Sequence, residues 1–147
     1  MRVILQRVER ANVKIEGSVA GEIGQGLLLL VGFGQGDSES CIPGMVEKIT
    51  TMRVFPNEQG RFDRSVLDVG GEILAVSQFT LYADTSKGRR PEFFQALNPQ
   101  EADALFQRFL AALRSSGVVK VASGVFGAHM LVESVNDGPV TITLERT

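Results

Sequence analysis

Three short stretches concentrate the residues of this chain that could do chemistry: Ser77, Gln78, Phe79 and Thr80 in SQFTL, Lys87, Arg89 and Arg90 in KGRRP, and the Gly138-Pro139 pair in VNDGPVTIT. Ser77, Thr80 and Cys41 could each attack a carbonyl, but each would need a base. His129 is the only histidine, and nothing in the sequence places it beside any of them; a surface or strand-face position accounts for it better. Cys41 reads as packing near a helix start. Asp63, Asp68, Asp84, Glu92, Asp103 and Asp137 are scattered through turns and helix surfaces, and no carboxylate pair suited to acid–base work stands out. One cysteine and one histidine exclude an internal disulfide and leave too few soft ligands for an ordinary structural zinc site, so neither a metal nor another cofactor is expected.

The remaining chemistry is that of binding. GFGQGD, residues 32–37, lacks the spacing of a dinucleotide fingerprint and the lysine of a P-loop, and reads as a strand-to-helix turn. KGRRP is the one dense basic cluster; beside an aromatic such as Phe93 it could grip phosphates, and it could equally be a solvated loop. SQFTL sets polar side chains around Phe79 at a strand end, where backbone donors can reach a ligand; its plainer reading is the end of a buried strand. Gly138-Pro139 weakens the strand it introduces, because glycine favours unusual backbone angles and proline removes a donor.

The elements that must position these groups follow from patterning. The 147 residues carry 44% apolar and 22% charged side chains and a net charge of −2, as expected of one soluble domain with a real core and no global basic footprint. The N-terminal residues alternate apolar and charged without a long apolar run, so neither a signal peptide nor a membrane span is expected, and a cytoplasmic home fits. Residues 2–15 read as a strand with Val3, Leu5 and Val8 on an alternation that shifts once before Val13 and Ile15. Residues 26–33 are a continuous apolar run, as in a strand covered on both faces.

A helix is predicted over 40–53, with Ile42, Met45, Val46, Ile49 and Met52 at helical spacing and Pro43 in its first turn. PNEQGRF reads as a turn. A third strand is predicted to run to about Tyr82, followed by the basic loop. The second helix is capped by Asn98 and Glu101, starts with Pro99, buries Ala102, Leu105, Phe106, Phe109, Leu110 and Leu113, and ends at Gly117. Short strands at 118–122, 130–135 and 140–144 complete a single α+β domain over 1–147, mostly sheet with two helices packed on it.

Taken together, QRV near the start, VSQFTLYAD, KGRRPEF and NDGPVT, with LDVGGE and FGAHM between them, resemble the D-aminoacyl-tRNA deacylase family over essentially the whole chain. The resemblance implies a mixed or antiparallel, barrel-like sheet and a homodimeric enzyme that hydrolyses the ester joining a D-amino acid to the terminal adenosine of tRNA, with glycyl-tRNA also cleaved. It implies a cis Gly138-Pro139 bond projecting into the partner's pocket, where both carbonyls bind the substrate's amino group and exclude an L side chain. Arg7 matches a position that braces the partner's Gly-Pro loop; alternation alone would make it a charged outward residue on the first strand. Ser77, Gln78, Phe79 and Thr80 would line the ester pocket, with backbone N–H groups around Gln78 and Phe79 facing the carbonyl oxygen. Ala102 matches a position near the adenosine, though a core-facing alanine reads equally well there.

Thr80 without a base is a weak nucleophile, whereas the ribose 2′-hydroxyl lies next to the ester, so substrate-assisted attack of water is the expected mechanism. His129, where an acidic or small polar residue is more usual, and Pro43-Gly44, inside a helix that is usually uninterrupted, depart from the family pattern. The alternative from another class is a non-catalytic dimer that binds tRNA or DNA through Lys87, Arg89 and Arg90.

Overall fold

The computed structural model describes Met1–Thr147. Its strands are β1 (Arg2–Ile15), β2 (Ser18–Ile23), β3 (Gly26–Gly32), β4 (Phe55–Pro56), β5 (Phe62–Arg64), β6 (Glu72–Ser77), β7 (Val121–Ser123) and β8 (Leu131–Glu145); the helices are α1 (Cys41–Thr51) and α2 (Pro99–Arg114), with a 3-10 turn at Phe79–Tyr82. The main sheet runs β2-β1-β3-β6-β7, with β8 on the other side of β1. The β1 pairings are antiparallel, and β3-β6 and β6-β7 are parallel. Rolled so that β2 comes against β7, this mixed sheet is nearly a closed barrel, and the two helices pack on it as the patterning requires.

Burial on both faces explains the unbroken apolar run of β3. Leu27, Leu29 and Val31 belong to a large core under α1 and α2, while Leu28 joins Val8, Ala11, Val13, Ile23, Leu74 and Val76 in a second core inside the roll. β1 changes allegiance along its length: Val3 and Leu5 face the first core, and Val8, Ala11 and Val13 the second. Arg7 therefore occupies a core-side position, 7% exposed, and the outward reading of its alternation fails. Leu5 and Val8 lie in different cores, so the switch falls between them.

The other differences are local. β2 was not expected, and PNEQGRF is the tip of a small β4-β5 hairpin. The third strand stops at Ser77, and Phe79–Tyr82 coil into the 3-10 turn. The two last strands are one, β8, continuous through Pro139 and paired with β1 on both sides of it. Between Gln6↔Thr141 and Val8↔Asn136 the whole stretch Asp137–Val140 stands against Arg7 alone, so it bulges from the ladder and the missing proline donor costs no pairing. Pro43 sits in the first turn of α1 without interrupting it, and Gly44 lies under the guanidinium of Arg146, where a β-carbon would collide.

α2 is held as predicted. Asn98 Oδ1 accepts the Glu101 N–H at 3.0 Å, and the Asn98 amide donates to the Glu101 carboxylate at 2.6 Å. Phe109 is fully buried in the first core. Phe109→Ala is expected to cost about 3–5 kcal/mol, read as a lower denaturation midpoint at unchanged m-value.

Candidate active site

A cavity of about 610 Å³ opens at the carboxyl ends of the parallel strands β3 and β6, the place where open α/β sheets usually receive ligands. Val31–Phe33 and Val76–Ser77 form its floor, Gln78 and Phe79 one wall, and Asn98, Pro99 and Ala102 at the start of α2 another. The loop after β7, Phe126–Met130, closes the far side.

Ser77, Gln78, Phe79 and Ala102 thus meet at one cavity. Ala102 serves both of its readings: it is 6% exposed, part of the first core, and still on the cavity wall. Phe79 is 55% exposed and set edge-on against Phe93 at 4.9 Å between centroids, so an aromatic pair flanks the entrance. Thr80 is exposed beside the lining residues, and its hydroxyl accepts a hydrogen bond from the Gln78 side-chain amide.

The donor assignment around Gln78 needs correction. The Gln78 N–H donates to Val31 O at 2.6 Å, a bond made because β6 ends beside β3, and it is not free for a ligand. The donors left are those of Phe79 and Thr80, which open the 3-10 turn; the first N–H groups of any helical turn have no acceptor within it. Phe79 is on the cavity wall, and Thr80 follows it just outside the lining.

His129 and its neighbours were not expected in the site. His129 is exposed on the cavity's far side and shares no hydrogen bond with Ser77 or Thr80. Apart from His129 its loop is apolar, and only the parallel placement of β7 beside β6 brings it over the strand ends. Cys41 is buried near Met1, its thiol donating to Ser38 O at 2.9 Å, and burial pushes its pKa up, so it is no nucleophile here.

Gly138 and Pro139 do not line their own chain's cavity; they stand exposed on the β8 bulge, joined by a cis peptide bond. The bulge is clipped from both sides. Asn136 Oδ1 accepts the Val140 N–H at 2.8 Å and its amide donates to Thr141 Oγ1 at 3.1 Å, so one side chain bridges the base. Arg7 Nε donates to Asp137 O at 2.9 Å and Nη1 to Val54 O at 2.6 Å, with the Asp137 carboxylate 3.4 Å away. Arg7 therefore braces the Gly-Pro loop of its own chain, because β1 lies directly beside β8. The only sequence signal of Asn136's role is its place two residues before glycine in NDGPVT.

Lys87, Arg89 and Arg90 lie outside the cavity on an exposed loop closed by backbone bonds between Asp84 and Glu92 at 2.7 and 2.9 Å. None of the three is in an ion pair within the chain, and the loop leads directly into Phe93 at the cavity wall. At its base the Ser86 N–H donates to Asp84 at 2.9 Å and holds that carboxyl below its ordinary range.

Residues 4–145 match the model of the D-Tyr-tRNA(Tyr) deacylase family. The chain belongs to that family. It is 55% identical to a D-aminoacyl-tRNA deacylase of Heliobacterium modesticaldum over 99% of this chain and 96% of the relative, and 53% identical to one of Thermomicrobium roseum over 99% and 94%. Among solved structures, a c-Myc DNA Unwinding Element Binding Protein superposes with a TM-score of 0.93 at 40% identity, covering 100% of this chain and 99% of the other. A probable eukaryotic D-amino acid tRNA deacylase shares the fold, with a TM-score of 0.84 at 19% identity over 97% of each chain. As a deacylase, the protein is a hydrolase of an ester bond.

Proposed function

We propose that the protein hydrolyses the ester between a D-amino acid and the 3′-terminal adenosine of tRNA, releasing both, and that it also clears glycine misplaced on tRNA. The observation that carries the reading is the division of the site. The cavity with the Phe79 and Thr80 donors and the clipped Gly138-Pro139 bulge are both exposed, yet they do not meet within one chain. Two copies related by a two-fold axis would each offer a loop to the other's cavity. The Gly138 and Pro139 carbonyls would then take the substrate's amino group and fill the space where an L side chain points, whereas glycine has no side chain to exclude.

The chemistry suits this division. Thr80 is bonded to the Gln78 amide and to no base, so the cavity supplies orientation and stabilises the oxyanion, while the vicinal 2′-hydroxyl of the RNA assists attack by water. Lys87, Arg89 and Arg90 hold the acceptor end through phosphates in a salt-dependent way. No helix is long and apolar enough to cross a membrane; work on tRNA would belong in the cytoplasm.

Hydrolysis of D-tyrosyl-tRNA against L-tyrosyl-tRNA by the purified protein is the direct test. The D form is expected to be cleaved at least about 100-fold faster, the discrimination available when the wrong isomer meets a clash in place of hydrogen bonds. Equal binding of both forms without cleavage would instead support a nucleic-acid-binding dimer built on the same exposed cations. A stable, fully active monomer would contradict the shared site.

A further inference from the structure

Behind the turn that presents Phe79 and Thr80 lies a polar assembly that the steps above do not use. Tyr82, the last residue of the turn, lays its ring so closely on Gly34 that a β-carbon there would overlap ring atoms. Its hydroxyl donates to Asp37 Oδ2 at 3.2 Å, and the same oxygen accepts the Gly34 N–H at 2.7 Å and the Met1 ammonium. The Asp37 side chain is only 4% exposed, so this knot sits where water screens it little. The Arg2 guanidinium lies 4.5 Å from the Tyr82 ring centroid, donates to Leu81 O at 3.0 Å, and pairs through Nε with Glu145 at 2.5 Å.

A four-residue 3-10 turn holds itself poorly, and this one buries none of its residues. The direction of its first two N–H groups must therefore be set from behind. We infer that Arg2, Asp37 and Tyr82 are positioning residues for deacylation: together they fix the turn so that the Phe79 and Thr80 N–H groups meet the oxygen on which charge develops. The inference rests on the reading of that turn as the oxyanion donor. Burial first, and then the Asp37 charge, push the Tyr82 pKa up, so its hydroxyl, protonated at neutral pH like any tyrosine's, stays a donor further into the alkaline range.

The test is single-turnover hydrolysis of D-tyrosyl-tRNA by Tyr82→Phe, Arg2→Met and Arg2→Lys, with Val46→Ala in α1 as a control for destabilisation remote from the turn. Tyr82→Phe keeps the ring on Gly34 and removes only the hydroxyl. Tyr82→Phe and Arg2→Met are expected to lower the saturating rate by about 10-fold or more, while the half-saturating enzyme concentration changes by less than about 2-fold, as for groups that act on the transition state alone. Arg2→Lys is expected to recover part of the rate. Saturating rates equal to wild type, or losses no greater than that of Val46→Ala at a matched melting temperature, would overturn the inference. Wild-type protein that failed to cleave D-tyrosyl-tRNA would instead bring down the functional reading on which it stands.

Discussion

Gly138→Ala is expected to lower the single-turnover rate of D-tyrosyl-tRNA hydrolysis by at least about 100-fold, the scale of loss when a positioning group moves by about 1 Å. Gly138 adopts φ 140°, where side chains other than hydrogen are rarely accommodated. A β-carbon there would also lie 2.8 Å from Val140 Cγ2, 3.0 Å from Val140 N and 3.1 Å from Arg7 Nη2. Val140 N is held by Asn136, and Arg7 is held by Val54 and Asp137, so the neighbours cannot yield and the loop itself must move. Asp137, Gly138 and Pro139 are exposed, so the core should survive and the melting temperature should change by only a few degrees, roughly what 1 kcal/mol produces in a domain of this size.

Mixing this variant with Phe79→Asp extends the test to the partner. Phe79→Asp sets a carboxylate on the cavity wall while leaving its own loop intact. If each loop serves the other subunit, random re-pairing restores about a quarter of the sites, one in each heterodimer. No recovery on mixing, with both variants folded and exchanging subunits, would place loop and cavity function within one chain.

The second large effect is expected from the RNA. Replacing the 2′-hydroxyl of the terminal adenosine by hydrogen should slow hydrolysis by about 100-fold or more, within the range of a positioned acid–base group, whereas Thr80→Ala should change the rate by no more than about 3-fold. The Thr80 hydroxyl accepts from Gln78 and has no carboxylate or imidazole bonded to it, so nothing withdraws its proton. The N–H at position 80, proposed above as an oxyanion donor, remains after truncation to alanine. A loss of several orders of magnitude in Thr80→Ala, with the deoxy substrate cleaved at the normal rate, would make Thr80 the nucleophile and remove the RNA from the mechanism.

Much of this molecule was legible as a string. Local signals sufficed where one element decides its own form: the capping pair Asn98 and Glu101, Pro99 at the first helical position, and the buried stripe of α2 need nothing from elsewhere. The run Gly26–Phe33 announced a strand covered on both faces, and each face has its own core. The short motifs around Ser77 and Gly138 pointed to the family over the full length, and residues 4–145 match it.

Tertiary structure decided what depends on neighbours distant in sequence. Arg7 looked outward because alternation says which residues share a face, not where a strand passes from one core to another; the pairing of β1 with β8 turned it into the anchor of the Asp137–Val140 bulge. Gln78 lost its N–H to Val31, and Asp37 became a buried hub, through contacts between segments tens of residues apart. The apolar loop Phe126–Met130 entered the site only because β7 lies parallel to β6. Composition and periodicity determine the class of the fold and the elements within it, because those follow from burial and local backbone preference. Which donors stay free, which charges are buried, and which loops meet at the cavity are set by pairing register and packing, and a linear pattern carries no record of either.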